Sequence, residues 1–323
     1  MLRAITEAKP LKILSFTDLH LDDHEARYRM SMRMVEETVQ EEAPDLLLFL
    51  GDLVTGGDNA GRARAWVELM DRLALPWCPI LGNHEGDNPL SLPRDEMISL
   101  FRESPYCMVP EERAVLADGS VVERETNYVV PLFNGAGDMC FKLIFFDSGA
   151  DMSEEERRLY GLEDAERHVY DALTPKQVAW FREQVRADDC PSMVLLHIPL
   201  PEYAEAYDRG ELLAGENRES VCSSLHNSGL FDAILEEGRT VAVAAGHDHV
   251  NDSRVLYRGV QLIYNRMGGL SSYNILSKGG TEKLLQGCTV YWVDSVGELS
   301  VDDIYYEDLL PQHREEMYSV VRR

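Results

Sequence analysis

The sequence predicts an α/β fold around a mostly parallel β-sheet. Three observations carry that expectation. The first half of the chain repeats an apolar run, a polar loop and an amphipathic stretch three times, the βαβ pattern. Runs such as Asp45–Leu50 (DLLLFL) are apolar after their first residue, as in strands buried on both faces. The 323 residues, 45% hydrophobic and 27% charged, are enough to bury a large core.

The elements follow in order. Leu11–Thr17 reads as a strand that runs into the loop DLHLDD. Glu25–Ala43 carries apolar residues at helical spacing, among them Met30, Met34, Val35 and Val39. The strand Asp45–Leu50 ends in Gly-Asp, the helix Ala60–Leu73 follows, and the strand Cys78–Leu81 ends in GNHE. Residues 85–121 read as loops with one helix over Arg94–Arg102. Asn127–Pro131 and Phe141–Phe146 are strands, and residues 151–171 form a charged excursion. Thr174-Pro-Lys-Gln177 opens a helix, with Thr174 as cap, Pro175 in the first turn and Gln177 completing a capping box. Ser192–Leu196 is a buried strand ending at His197. A helix lies within Glu219–Glu237, and the strand Thr240–Ala245 ends in GHDH. Extended segments follow near Val255–Tyr264, Thr289–Val293 and Ser300–Tyr305. A single domain over residues 1–310 and a helical tail over 311–323 are expected.

Charge excludes some roles. The chain has 57 acidic against 31 basic side chains, a formal net charge of −26. Binding of nucleic acid or anionic lipid needs clustered Lys and Arg, so no nucleic-acid track is expected. No segment approaches the ~20 apolar residues of a membrane span. Residues 1–12 hold Arg3, Lys9 and Lys12 but no apolar run, so no signal peptide is expected. The six cysteines are scattered without a CxxC, which suits reduced thiols in a cytoplasmic protein.

Five predicted strands end beside potential metal ligands: Asp18 with His20, Asp52, Asn83 with His84, His197, and His247 with His249. Ligands of open α/β sheets bind outside the carboxyl ends of strands, so these residues should meet on one rim. Carboxylate, amide oxygen and imidazole together suit a two-metal site, and a shared carboxylate would hold two cations close together. Each motif alone has an ordinary reading as a turn, a solvated loop or a core histidine; the ordered set of five does not.

That set resembles the signature of calcineurin-like metallophosphoesterases over roughly residues 12–265. HIPLPEY (His197–Tyr203), Asn227–Phe231, GHDHVND and Asp147–Gly149 resemble the purple-acid-phosphatase-like branch. The resemblance implies a sandwich of two mixed β-sheets flanked by helices. It implies two metal ions (Mn, Fe or Zn), one on Asp18, His20 and His249, the other on Asn83, His197 and His247, with Asp52 bridging. It further implies a metal-bridging hydroxide as nucleophile, His84 as the acid for the leaving group, and a small phosphorylated substrate. Thr55 departs from the family, where a purple phosphatase carries tyrosine and a protein phosphatase carries aspartate. The protein should therefore not be purple, and the group that orients His84 is left open among Glu85, Asp87 and a backbone carbonyl.

Alternatives to a phosphate-monoester hydrolase are a regulatory scaffold without turnover, a phosphodiesterase or nucleotide hydrolase, and a nuclease, which would need a basic track. A metallo-β-lactamase-like site needs HxHxDH, which His247-x-His249-Val-Asn-Asp252 does not supply. Asp22, Asp23, Asp147, Asp248 and Asp252 are candidates to support histidine ligands. Arg254 and Arg266 are weak candidates for phosphate contact, and Glu202–Arg218 for a loop lining the pocket.

Overall fold

The computed structural model describes residues 2–57, 59–165, 168–273 and 283–321. Its strands form two sheets rather than one. The first contains β1 (Leu11–Phe16), β2 (Leu46–Leu50), β3 (Trp77–Ile80), β11 (Gly287–Val293) and β12 (Leu299–Tyr305), in the order β12-β11-β1-β2-β3. The second contains β4 (Tyr128–Phe133), β5 (Met139–Phe145), β6 (Ser192–Leu195), β7 (Glu211–Ala214), β8 (Thr240–Ala245), β9 (Arg254–Tyr257) and β10 (Val260–Tyr264), in the order β4-β5-β6-β8-β10-β9-β7. β1, β2 and β3 run parallel, as do β5, β6, β8 and β10. Antiparallel strands close one edge of the first sheet and both edges of the second, so both sheets are mixed.

The apolar run Leu46–Leu50 is buried along its whole length. The second sheet sorts its side chains by alternation instead. Leu143 and Phe145, Met193 and Leu195, and Ala242 and Ala244 join the core shared with the first sheet and with α1 (Glu25–Glu42), α2 (Asn59–Leu73) and α3 (Arg94–Phe101). Their neighbours Ile144 and Phe146, Val194 and Leu196, and Val243 and Ala245 face a second core. That core lies under α5 (Pro175–Arg186), α6 (Glu202–Arg209) and α7 (Leu230–Glu237), through Trp180, Phe181, Ala206 and Phe231. A short helix, α4 (Glu154–Leu159), sits in the charged excursion.

The Thr174 cap, the capping box with Gln177 and Pro175 in the first turn of α5 are all present. The stretch Glu202–Arg218 is not a loop: it holds α6 and the edge strand β7. Tyr203 and Ala206 bury one turn of α6, and β7 has no inward face to reveal it by alternation. The extended run over Val255–Tyr264 is a hairpin, turning through Arg258 and Gly259, both with positive φ, as a two-residue turn requires. After α8 (Tyr306–Leu309), a single 3₁₀ turn over Pro311–His313 leads into α9 (Arg314–Val321), which buries Met317 and Val320 in the first core. The last two positions of the expected terminal helix, 322–323, lie outside the described residues. Among the described residues, no helix is long and apolar enough to cross a membrane.

Candidate metal centre

The carboxyl ends of β1, β2 and β3 in one sheet and of β6 and β8 in the other converge. Asp18, His20 and His249 bring donor atoms within 4.8 Å of one another, and so do Asp52, His197 and His247. All six are buried. Asn83 joins the second group, its Oδ1 3.0 Å from His197 Nε2. Asp52 Oδ2 lies between the groups, 3.2 Å from His197 Nε2 and 3.8 Å from His20 Nε2. His84 Nε2 is 4.0 Å from the same oxygen, and its ring is half-exposed.

The backbone is bent hard to achieve this. Asp18, His20, Asp52 and His247 all have positive φ, at 53°, 43°, 49° and 73°. Non-glycine residues held there cost of order 1–3 kcal/mol each and persist only where the surroundings dictate them. The surroundings do so here. Asp18 N–H donates to Gly51 O and His20 N–H to Asp52 O, which locks the first loop onto the second. The buried Glu85 carboxylate accepts the N–H groups of Asp52 (3.1 Å), Leu53 (2.5 Å), Val54 (3.1 Å) and Gly82 (2.6 Å). Arg94 donates to Gly82 O (2.5 Å) and to Asp147 Oδ1 (2.7 Å), tying the loop after β3 to the loop after β5 in the other sheet.

Each carboxylate uses one oxygen on the protein and leaves the other without a partner. Asp18 Oδ2 accepts His247 N–H at 2.9 Å and lies 2.7 Å from Thr17 Oγ1, while Oδ1 is buried without a hydrogen bond. Asp52 Oδ1 accepts His84 N–H at 2.8 Å, while Oδ2 is buried without one. His247 Nε2 is likewise buried and unpartnered. His197 Nδ1 donates to Leu50 O at 2.7 Å and His249 Nδ1 to Tyr273 O at 3.1 Å, which leaves their Nε2 atoms as lone-pair donors. Buried polar atoms without partners are rare, and here they face one another with cation-binding chemistry. The residues fit two metal ions.

Charges are strongly coupled. Burial opposes ionisation of Asp52, but the histidines, His197 first, hold it well below the usual carboxylate range. Burial also disfavours the His197 cation, yet Asp52 and Asp18 outweigh it and push the ring up to about 10. Burial and then the His197 charge push His247 down to about 3. A metal needs the neutral imidazole, so ion and proton compete at His197.

Gly82 shows how tight the packing is. A Cβ there would collide with Asp52 Oδ1 and with its backbone nitrogen. Such overpacking costs about 1–3 kcal/mol. Gly82→Ala is therefore expected to weaken metal retention about tenfold, read as metal content after dialysis. Unchanged content would show that the loop can shift without cost.

The structure places the remaining sequence candidates as follows. Asp87 faces His84, with Oδ2 2.6 Å from Nδ1; Glu85 instead holds the backbone of the loop after β2. His197 and His249 lean on backbone carbonyls rather than on the loop aspartates. Asp22 and Asp23 accept backbone N–H groups, and Asp248 accepts Tyr264 O–H at 2.6 Å. Arg266 is a buried residue paired with Asp252 and Asp303, and Arg254 donates to Val301 O; neither lines the pocket. Tyr203 lies beneath the second sheet, its hydroxyl donating to Val243 O. A pocket of about 180 Å³ opens over the centre, lined by Asp52, His84, His247, Asp248, His249, Tyr170, Cys222, Ser272 and Tyr273. The last four carried no sequence signal: they come from three separate segments, and none stands in a motif.

A two-sheet α/β sandwich with two facing donor sets and Asp52 Oδ2 between them is the arrangement expected of a metallophosphoesterase type of protein. The chain belongs to the calcineurin-like phosphoesterase family, whose pattern it matches over residues 11–251. It is similar to the "Probable inactive purple acid phosphatase 14" of Arabidopsis thaliana, 26% identical over 74% of this chain and 62% of that one. It is similar to the "Probable inactive purple acid phosphatase 28" of the same plant, 26% identical over 81% and 71%. "Phosphatase DCR2" of Saccharomyces cerevisiae is 24% identical over 76% of this chain and 45% of its own length. The chain thus spans less than two thirds of some of the curated relatives it matches. Among solved structures, a dimetal phosphatase from Danio rerio has the same fold, with a TM-score of 0.61 at 14% identity, covering 91% of this chain and 95% of that one.

Proposed function

We propose that this chain is a metal-dependent hydrolase of small phosphate monoesters, with diesters as a further substrate class. The observation that carries the reading is the pair of buried donor sets with Asp52 Oδ2 between them and His84 beside them. In this reading Asp18, His20 and His249 hold one ion, Asn83, His197 and His247 the other, and Asp52 both. Oxygen and imidazole donors suit Mn, Fe or Zn. When bound, the ions supply Lewis acidity toward the phosphoryl oxygens and make coordinated water acidic. His84 donates a proton to the leaving oxygen, with its Nδ1 turned to Asp87 so that Nε2 faces the centre.

Among the described residues, no Lys or Arg lines the pocket, and Asp52 and Asp248 do. Attraction for phosphate then rests on the ions, and the global charge of −26 says little about the local potential. Removing metal with a chelator is expected to abolish hydrolysis of p-nitrophenyl phosphate and binding of inorganic phosphate, both returning with Mn²⁺ or with Fe and Zn. Hydrolysis that persists in protein shown to be metal-free by elemental analysis would refute the reading.

A second reading, a scaffold without turnover, is favoured by the names of the two plant relatives. Against it, this chain fills every ligand position and keeps His84. A cytoplasmic location is part of the proposal and rests on the scattered, mostly buried cysteines.

A further inference from the structure

The pocket over the centre has two aromatic walls, and they differ in one respect. The Tyr273 ring stacks on His249, centroids 4.1 Å apart, and its hydroxyl donates to Glu219 Oε1 at 2.9 Å. The Tyr170 ring stands edge-on against His247, centroids 4.5 Å apart and planes at 88°. Among the described residues, the Tyr170 hydroxyl has no hydrogen-bond partner, although the ring is half-buried in the pocket wall. A phenol hydroxyl without a protein partner can bond water or a ligand in the pocket.

The position of Tyr170 is set by its backbone. Met152 N–H donates to Val169 O and Asp171 N–H to Ala150 O, closing the base of the charged excursion. Ser224 Oγ donates to Tyr170 O at 3.0 Å, tying the excursion to the segment that carries Cys222. These bonds fix the backbone of Tyr170 where its ring meets His247. Ser272 also offers a hydroxyl to the pocket, but on a side chain that rotates freely.

We propose that Tyr170 is a catalytic residue whose hydroxyl donates a hydrogen bond to a non-bridging phosphoryl oxygen of the substrate. The proposal rests on the phosphoester reading of the same centre. It deepens that reading by adding a fixed neutral donor for the anion to a pocket in which, among the described residues, no Lys or Arg lies. A phenol is protonated at neutral pH and neutral when unoccupied, so it adds a donor without competing with the metals for the acidic ligands. A pocket that holds phosphate through ions and a neutral hydroxyl accommodates a compact phosphoryl group better than a polyphosphate chain, which gathers cationic side chains.

The test compares wild type with Tyr170→Phe, both loaded with Mn²⁺ and assayed for metal, by titration with inorganic phosphate in a calorimeter. Phenylalanine keeps the ring against His247 and removes only the hydroxyl. Unchanged metal content with phosphate bound about tenfold more weakly is the expected result, since a hydrogen bond to a charged group is lost. Equal phosphate affinity overturns the proposal. Loss of metal in the variant also overturns it, because the ring would then act through His247 alone. Metal-loaded wild type that binds no phosphate removes the anion Tyr170 is proposed to hold and overturns it as well. Binding without turnover in the wild type, with the variant weakened, leaves Tyr170 in place and refutes only the hydrolase reading.

Discussion

Asp52→Asn is expected to lose both metal ions and at least about 10³-fold in turnover, about 4 kcal/mol in the barrier. The reason is geometric. Asp52 Oδ1 is committed to the His84 N–H at 2.8 Å, and Oδ2 faces His197 and His20 at 3.2 and 3.8 Å. An asparagine has one oxygen for these two jobs. If the oxygen keeps the His84 N–H, an NH₂ group points into both donor sets and repels cations. If the amide flips, NH₂ meets the His84 N–H and that loop is pushed away. Either orientation leaves the two groups without their shared anion.

Metal loss and unfolding can be separated for this variant. Burial, and next the Asp52 charge, push Glu85 up to about 7, so the two carboxylates repel across the loop they both hold. The amide removes that repulsion while keeping the side-chain volume. The metal-free variant is therefore expected to unfold at no lower temperature than metal-free wild type, even though it no longer takes up metal. Two ions per chain in Asp52→Asn, measured by elemental analysis, would contradict a shared ligand.

The ligand residues could be read from the sequence because each sits where a short apolar run stops. β2 and β8 are apolar to their last residue, so Asp52 and His247 mark the strand ends without ambiguity. The partition into two sheets could not be read from strand patterns. β1 pairs with β2, some thirty residues on by register at Ile13↔Leu46, but also with β11, at Leu11↔Val293, and no local periodicity encodes that pairing. The resemblance to a known family supplied the sandwich that periodicity could not.

Supporting groups were hidden for a different reason. Glu85 and Asp87 stand two residues apart after Asn83, with nothing in composition to distinguish them. Their roles diverge because Glu85 turns inward onto four backbone N–H groups while Asp87 stays at the surface beside His84. Side-chain direction in an irregular loop depends on its closure, and closure here depends on Arg94 reaching Asp147 in the other sheet. Tyr170 was hidden in the same way, since hydrogen bonds at the base of a long excursion put it beside His247.

His84→Ala is expected to keep both metals and to lose about 10²–10⁴-fold in kcat on an alkyl phosphate, the usual worth of a positioned proton donor. On p-nitrophenyl phosphate the loss is expected to be small, because that leaving group departs without a proton. The contrast between the two substrates separates a proton donor from a group that merely binds phosphate, which would affect both alike. The pH profile adds an independent check through Asp87. Burial lowers the His84 pKa, but Asp52 and then Asp87 outweigh it and raise it. A general acid works while protonated, so the raised value carries activity to higher pH. Asp87→Asn removes one of the raising charges and should move the basic limb of the kcat profile on the alkyl substrate to lower pH. Both side chains are half-exposed, so solvent screens the pair and the shift should be modest. A limb that stays in place would remove Asp87 as the partner of His84, and normal turnover of the alkyl phosphate by His84→Ala would end the assignment of His84 as the acid.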